Sequence, residues 1–419
     1  MNILKFVKKY SEQILIFLII SIALFVRFYN FNERVNFGPE QARSLVVSAN
    51  YLKKFTLLGQ EYFRVTSYGQ KLFAGAYFSY SLVPLIFLFK YQPLPITAYF
   101  AILNILTGLT LYFLVRKMFG KDVATVSLVL FLFNRYMIYH SLFIWILNYL
   151  PLIGILTMYF LFEFKKKRKS IYTFLLGLLC GLAFGLEYFY VLTAFLVLGY
   201  ILFVSKNKIK DFLFFMIGAI IGNLPMVVFD LKHSFYHVKT FSQYMLDSLK
   251  NPGQSSLTYY HFLNYWPIAL ILFGYLLIKY LKQKKIVILI VLVVYVFLNL
   301  NSKLISFKSP IGMPPGLTWE GINLASKRIS EDNPTNFNVV SLFDFDRRGF
   351  ILRYPLEFLN KSFPLGVEDY PSSSALYVFG PENYDFKSQS IWEIDSFNAK
   401  RIEILSKIQD GYNIYKLTK

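Results

Sequence analysis

The sequence predicts a mainly α, polytopic membrane protein. It reads as a bundle of about nine spans, with interfacial helices in the first external loop and a small external α/β domain at the C-terminal end. Three observations predict this. Of 419 residues, 56% are hydrophobic and only 16% are charged, against roughly 25% charged in soluble domains. Several apolar runs approach the roughly 20 residues needed to cross a bilayer. The formal net charge is +20, and lysines cluster between those runs, as in KKKRK at 165–169, KNKIK at 206–210 and KQKK at 282–285. A basic balance can mean nucleic-acid binding, but clusters confined to the loops between spans follow the positive-inside pattern instead. The single cysteine, Cys180, lies within an apolar run. It excludes an intrachain disulfide and suggests no thiolate metal site.

The elements follow in chain order. Lys5, Lys8 and Lys9 precede the first apolar run, 14–26. The residues after it, Arg27, Phe28, Tyr29 and Asn30, offer no small-residue cleavage site, so this is an uncleaved first span. With the basic N-terminus inside, the stretch 36–54 lies outside. If the run 72–89 crossed, Arg116, Lys117, Lys121 and KKKRK would all fall outside, against the charge rule. That run is therefore expected in the outer interface, or dipping in and returning. The later spans are then 95–115, 122–139, 149–164, 171–186, 188–204, 211–229, 265–281 and 286–300, with a turn near Glu187 separating two short ones. The transmembrane domain is 1–301 and the external domain 302–419. The latter opens on the linker SPIGMPPG. TWEGINLASKRISED has helical spacing of its apolar residues, while FNVVSLF, ALYVFG and YNIYKL read as short strands.

The stretch NFGPEQARSLVVSANYLKK, 36–54, carries the most chemistry. Gly38-Pro39-Glu40 reads as a helix start with Pro39 at the first helical position, where an acid is also favoured by the helix dipole alone. Glu40 and Arg43, three residues apart, share one face. A positioned carboxylate accepts a proton from an attacking hydroxyl, and a guanidinium grips phosphate oxygens. The same side receives His140 and Asn148 in the loop 140–148, then Glu187, and then Asp230 with Lys232 and His233. Each has a plainer reading. His140 and Asn148 would anchor a loop, Glu187 would be interfacial, and Asp230 would be a solvated loop acid. Lys232 and His233 would otherwise meet a lipid phosphate. No phosphate-binding glycine loop before a helix, zinc-protease helix motif or Ser-His-Asp pattern is present.

In order along the chain, FGPEQARSLVVSANYL, LYFLVRKMFG at 111–120, SLFIWILNYLP at 141–151, GLAFGLEYFYVL at 181–192 and FDLKHSF at 229–235 resemble segments of bacterial GT-C membrane glycosyltransferases. These are relatives of the protein O-mannosyltransferases and the lipid A aminoarabinose transferase. The resemblance covers most of the chain and rests on order and spacing. It implies a GT-C bundle that moves a sugar from a polyprenyl-phosphate donor to a hydroxyl acceptor (glycan, lipid or protein) on the external face of the cytoplasmic membrane. By the resemblance, Glu40 stands at the catalytic Asp, Gln41 and Arg43 match directly, and Asn148 matches an Asn of the second external loop. Ser44 stands where the family has a second acid, and Glu187 where a His is common. Substrate-binding residues are then expected at Gln41, Arg43, His140, Asn148, Glu187, Asp230, Lys232 and His233. No cofactor is required by the sequence; a divalent metal ion is the one the resemblance admits. A transporter of lipid-linked sugars is the rival class, and would show repeated halves and mid-membrane acids. A non-catalytic envelope-assembly subunit is the third.

Overall fold

The computed structural model describes residues 3–250, 258–343, 346–409 and 411–419, with the side chains of 3–9, 63 and 64 outside the description. The lysines expected to hold the N-terminus inside, Lys5, Lys8 and Lys9, fall in that undescribed set. The chain begins with helix α1 (Ile3–Phe28) and the short α2 (Phe31–Arg34). The stretch that follows forms α3 (Pro39–Asn50), which starts where the sequence reading puts it. Pro39 is at its first position, and Gln41 Oε1 accepts the Gly38 N–H at 3.0 Å to cap it.

The run 72–89 divides. Its first part is β2 (Lys71–Gly75), antiparallel to β1 (Leu58–Val65), and the rest is α4 (Ala76–Leu88). At 13 residues, α4 falls well short of a crossing. The hairpin itself was not anticipated. Next come α5 (Pro93–Phe119), α6 (Lys121–Leu132), α7 (Arg135–His140), a 3₁₀ turn at Ile146–Tyr149, α8 (Leu150–Lys167), α9 (Ser170–Leu186) and α10 (Tyr190–Val204). The break between α9 and α10 lies at Glu187, as expected. Helices α11 (Lys208–Gly222) and α12 (Leu224–Lys232) replace the single expected span at 211–229 and meet at 81°. Pro225 causes the break, because it lacks the N–H that a continuous helix would need there. After α13 (Tyr236–Lys250) and a 3₁₀ turn at Tyr259–Phe262 come α14 (Trp266–Leu281) and α15 (Lys285–Leu300).

Among the described residues, three helices are long and apolar enough to cross a membrane, within 10–28, 93–119 and 146–167, and the bent α11–α12 pair makes a fourth. α9, α10, α14 and α15 are apolar but only 15–17 residues long. At 1.5 Å per residue they reach about 23–26 Å, a little under a hydrocarbon core of about 30 Å.

The C-terminal part comprises α16 (Trp319–Glu331), β3 (Phe337–Ser341), α17 (Phe350–Phe358), β4 (Ala375–Pro381), α18 (Trp392–Asp395), β5 (Arg401–Gln409) and β6 (Tyr412–Thr418). The strands form one sheet in the order β3-β4-β6-β5. β3 and β4 are parallel, while β6 is antiparallel to both of its neighbours. The helix and three of the strands were legible; β5 and α17 were not. This part rests directly on the segment that carries α3. Phe37 packs edge-on to Trp319 at 4.7 Å and against Tyr354 at 6.0 Å, and the Tyr354 hydroxyl donates to Tyr91 O at 2.8 Å.

The tightest helix contact is a glycine seam between α9 and α11. A Cβ at Gly177 would meet Phe215 O at 2.0 Å, and one at Gly181 would meet Ala219 O at 2.2 Å. From the other side, Gly218 faces Phe174 O at 2.1 Å and Gly222 faces Leu178 O at 2.2 Å. Small residues four apart let two membrane helices touch backbone to backbone. The seam continues outward, where a Cβ at Gly75 of β2 would lie 2.8 Å from Gly185 Cα. The hairpin is thereby pressed onto the outer end of α9, beside Glu187. Gly181→Leu should push α9 off α11 at a cost of about 1–3 kcal/mol, the usual range for overpacking. It should lower the thermal unfolding midpoint in detergent. Gly199→Ala, whose added carbon meets nothing within 4 Å, should leave the midpoint unchanged or raise it.

Candidate active site

A cavity of about 500 Å³ opens where α3, the β1–β2 hairpin, the Trp145 loop, the Glu187 turn, α13 and the 259–262 turn converge. Three carboxylates face it, Glu40, Glu61 and Glu187, together with Arg43 and His261. Its remaining wall is largely aromatic, including Tyr62, Trp145, Tyr188 and Tyr260. Carboxylates set among aromatic rings suit a polyhydroxylated ligand, whose hydroxyls donate to the acids while its C–H faces lie on the rings.

Each acid is held differently. Glu40, in the first turn of α3, accepts the Trp145 indole N–H at 2.8 Å. Trp145 is itself fixed by the buried ring of His140, stacked at 4.9 Å. Glu187 sits where α9 ends. Its Oε1 accepts the Phe189 N–H at 3.2 Å, and its Oε2 lies 3.2 Å from His261 Nδ1. Glu61 is ringed by cations: Arg43 at 3.6 Å, Lys71 at 3.1 Å and Arg348 at 3.5 Å. Arg348 comes from the C-terminal part and is gripped from behind by Asp346 at 2.7 and 2.9 Å. Arg43 is almost fully buried and also donates to the Glu61 carbonyl. Burial lowers its pKa, with Glu61 opposing, while the Asp346 carboxylate raises that of Arg348. The Ser44 hydroxyl lies 2.7 Å from Gln60 Oε1 and 2.9 Å from Glu40 O, and so ties α3 to β1.

Three of the expected site residues, Glu40, Arg43 and Glu187, line the cavity; the others do not. Gln41 is spent on capping α3. His140 lies behind Trp145, with neither ring nitrogen hydrogen-bonded. Asn148 staples its loop by donating to His140 O and Phe143 O, each at 2.9 Å. Asp230 is buried and accepts the His237 N–H at 2.6 Å. The His237 ring in turn bonds the Tyr188 hydroxyl, which also donates to Phe73 O, so Asp230 acts on the cavity wall only at second hand. Burial lowers the His237 pKa, leaving a neutral ring suited to that bond. Lys232 and His233 are exposed and outside the cavity, and His233 stacks on Phe229 at 4.1 Å. Lys232 lies on the side of α12 opposite Asp230, about 200° around at about 100° per residue, and His233 is exposed just past the last turn. Sequence reasoning missed Glu61, Trp145, His261 and Arg348. Trp145 lay inside a quoted segment; the other three carried no local signal. The three cavity carboxylates are already engaged by Trp145, His261 and the cations. Among the described residues, no three His, Cys, Asp or Glu side chains come together in a way that could hold a metal.

Residues 76–229, a little over a third of the chain, match the family model of the dolichyl-phosphate-mannose-protein mannosyltransferases. No curated protein matches the sequence. Among solved structures, the chain is similar to ArnT from Cupriavidus metallidurans bound to undecaprenyl phosphate, at 11% identity and TM-score 0.49 over 95% of this chain and 97% of that one. It is also similar to the oligosaccharyltransferase AglB from Archaeoglobus fulgidus in complex with an inhibitory peptide and a dolichol-phosphate, at 14% identity and TM-score 0.42 over 70% of this chain. The chain spans only 38% of that structure's length. The family match covers α4 to α12, the part of the bundle that carries Trp145 and Glu187.

Proposed function

We propose that the protein transfers a sugar, a hexose or pentose, from a polyprenyl-phosphate donor to a hydroxyl acceptor on the external face of the cytoplasmic membrane. The observation that carries this reading is Glu40: a carboxylate at a helix start, oriented by the Trp145 N–H and facing an aromatic cavity with Arg43 one turn along. The family match, whose description names a lipid-phosphate sugar as donor, supports the donor class.

In this reading Glu40 takes the proton from the acceptor hydroxyl as its oxygen bonds the anomeric carbon. The bond from that carbon to the phosphate oxygen breaks, and the lipid phosphate leaves with the electron pair. Arg43 stabilises the charge that develops there, which preorganised cations do best in a water-poor site. Glu187 and the tyrosines hold sugar hydroxyls. The N-terminus is cytoplasmic and the 302–419 part external.

Glu40→Gln keeps the size and the contact with Trp145 but removes the basic oxygen. Transfer of radiolabelled sugar in proteoliposomes should fall by about 10²–10⁴, the usual worth of general-base catalysis, while carrier lipid is retained on purification. Glu40→Asp should lose less. Near-normal turnover in Glu40→Gln would reduce Glu40 to a helix-end charge.

Orientation has its own test. In a background lacking Cys180, a membrane-impermeant maleimide added to intact cells should label Lys232→Cys and Lys400→Cys. Lys167→Cys should react only after permeabilisation. Labelling of position 167 from outside would invert the topology and overturn the external reading.

A further inference from the structure

His261 lines the cavity beside Glu187, and transfer through Glu40 and Arg43 leaves it without a role. Its Nδ1 lies 3.2 Å from Glu187 Oε2, while Glu187 Oε1 accepts the Phe189 N–H at 3.2 Å. An ionised carboxylate only accepts, so Nδ1 carries the hydrogen of that bond and Nε2 is the working nitrogen. Among the described residues Nε2 has no hydrogen-bond partner. The ring is lodged between Phe189, at 4.7 Å, and Tyr260, at 4.5 Å, with 16% of its side chain exposed. Glu187 accepts from Nδ1 whether or not Nε2 holds a proton, so the ring gives up a proton and regains it without turning. Tyr260 meets Trp145 edge-on at 5.3 Å, and Trp145 donates to Glu40, so two aromatic rings separate His261 from Glu40 along one wall. Arg43, by contrast, sits one turn from Glu40 on the same helix and already donates to Glu61 O. In a one-step transfer the acceptor enters on one face of the anomeric carbon as the phosphate leaves from the other. A group that serves the departing oxygen therefore stands apart from the base, as His261 does.

We infer that His261 is the proton donor to the departing phosphate, and that Glu187 is the residue that positions it. This rests on the proposed function and adds to it a second proton-transfer residue, on a different element from the first. As the acceptor oxygen bonds the anomeric carbon, its proton passes to Glu40. The bond from that carbon to the phosphate oxygen breaks, the electron pair stays on the oxygen, and the oxygen takes the Nε2 proton. The lipid phosphate leaves as a singly charged monoester, and the neutral ring keeps its Nδ1–H on Glu187. Glu40 then gives its proton to water and the ring takes one from water, which restores both groups. Each Glu187 oxygen keeps a lone pair for a sugar hydroxyl.

The chain has 4 histidines, so nitrogen-15 labelling of histidine resolves the rings, and His261→Gln identifies one of them. In the full-length protein in detergent, polyprenyl phosphate, the product of the step, should shift the His261 Nε2 signal, and the matching uncharged polyprenol should not. Glu187→Ala should let both tautomers of that ring appear. In proteoliposomes, with radiolabelled lipid-linked sugar extracted from native membranes as donor, His261→Gln should lower turnover by about 10²–10⁴, the usual worth of general-acid catalysis. Gln keeps an N–H for Glu187 but has no proton to transfer, so a merely structural histidine predicts near-normal turnover. Polyprenyl phosphate binding should be retained in that variant. If turnover and binding are lost together, the variant is misfolded and the wild-type Nε2 signal decides. The inference is overturned if His261→Gln turns over within a few-fold of wild type, or if Nε2 responds to neither lipid or to both alike. It is overturned in its positioning part if Glu187→Ala leaves a single tautomer. The broader reading fails separately, and the inference with it, if the wild-type protein neither transfers the labelled sugar nor binds polyprenyl phosphate in preference to polyprenol.

Discussion

Backbone contact at the outer end of α9 governs the rest of the site. Gly177 and Gly181 let α11 lie against α9, and Gly185 lets Gly75 of the hairpin reach the same helix. Because no side chain separates these backbones, their spacing is set by direct backbone contact. Three consequences follow at once. β1 and β2 are held against the end of α9 and carry Glu61, Tyr62 and Lys71. The helix end at Glu187 faces that hairpin and not the lipid. Tyr188, held by His237 and Phe73 O, closes the wall between them.

The acids of the cavity show how neighbours set roles for chemically identical groups. Glu40 is held by a neutral indole donor, which orients the carboxylate without neutralising it. Glu187 has an imidazole, and Glu61 has three cations. Three chemically identical groups are thus set apart within one chamber by partner alone. The partners come from distant parts of the chain, the 145 loop, the 261 turn and residue 348. The C-terminal part is therefore a structural member of the site and not an appendage.

What the sequence made legible has a simple pattern. Glu40 and Arg43 could be found because their signal is local, a Gly-Pro helix start and spacing on one face. Glu187 could be found because an acid in an apolar run stands out. The hairpin escaped because LGQEYFRV is half polar and its pairing partner lies within an apolar run that also continues into α4. β5 escaped because it is an exposed edge strand, with Ile402 and Ile404 facing out, and α17 because Pro355 interrupts its helical pattern. The misplacement of Lys232 and His233 has the same origin. Sequence proximity to Asp230 could not say that Asp230 turns inward while Lys232, on the other side of α12, and His233, past its end, stay exposed. Long-range partners such as Arg348 leave no trace in any window of sequence.

The contact of Phe37 with Trp319 and Tyr354, and of Arg348 with Glu61, ties α3 and the hairpin to the C-terminal part. Every residue that lines the cavity nonetheless lies between 40 and 261. The C-terminal part thus acts as a buttress behind the chamber: it would not change which side chains face a ligand, but it would set how far α3 and the hairpin can move apart when one enters.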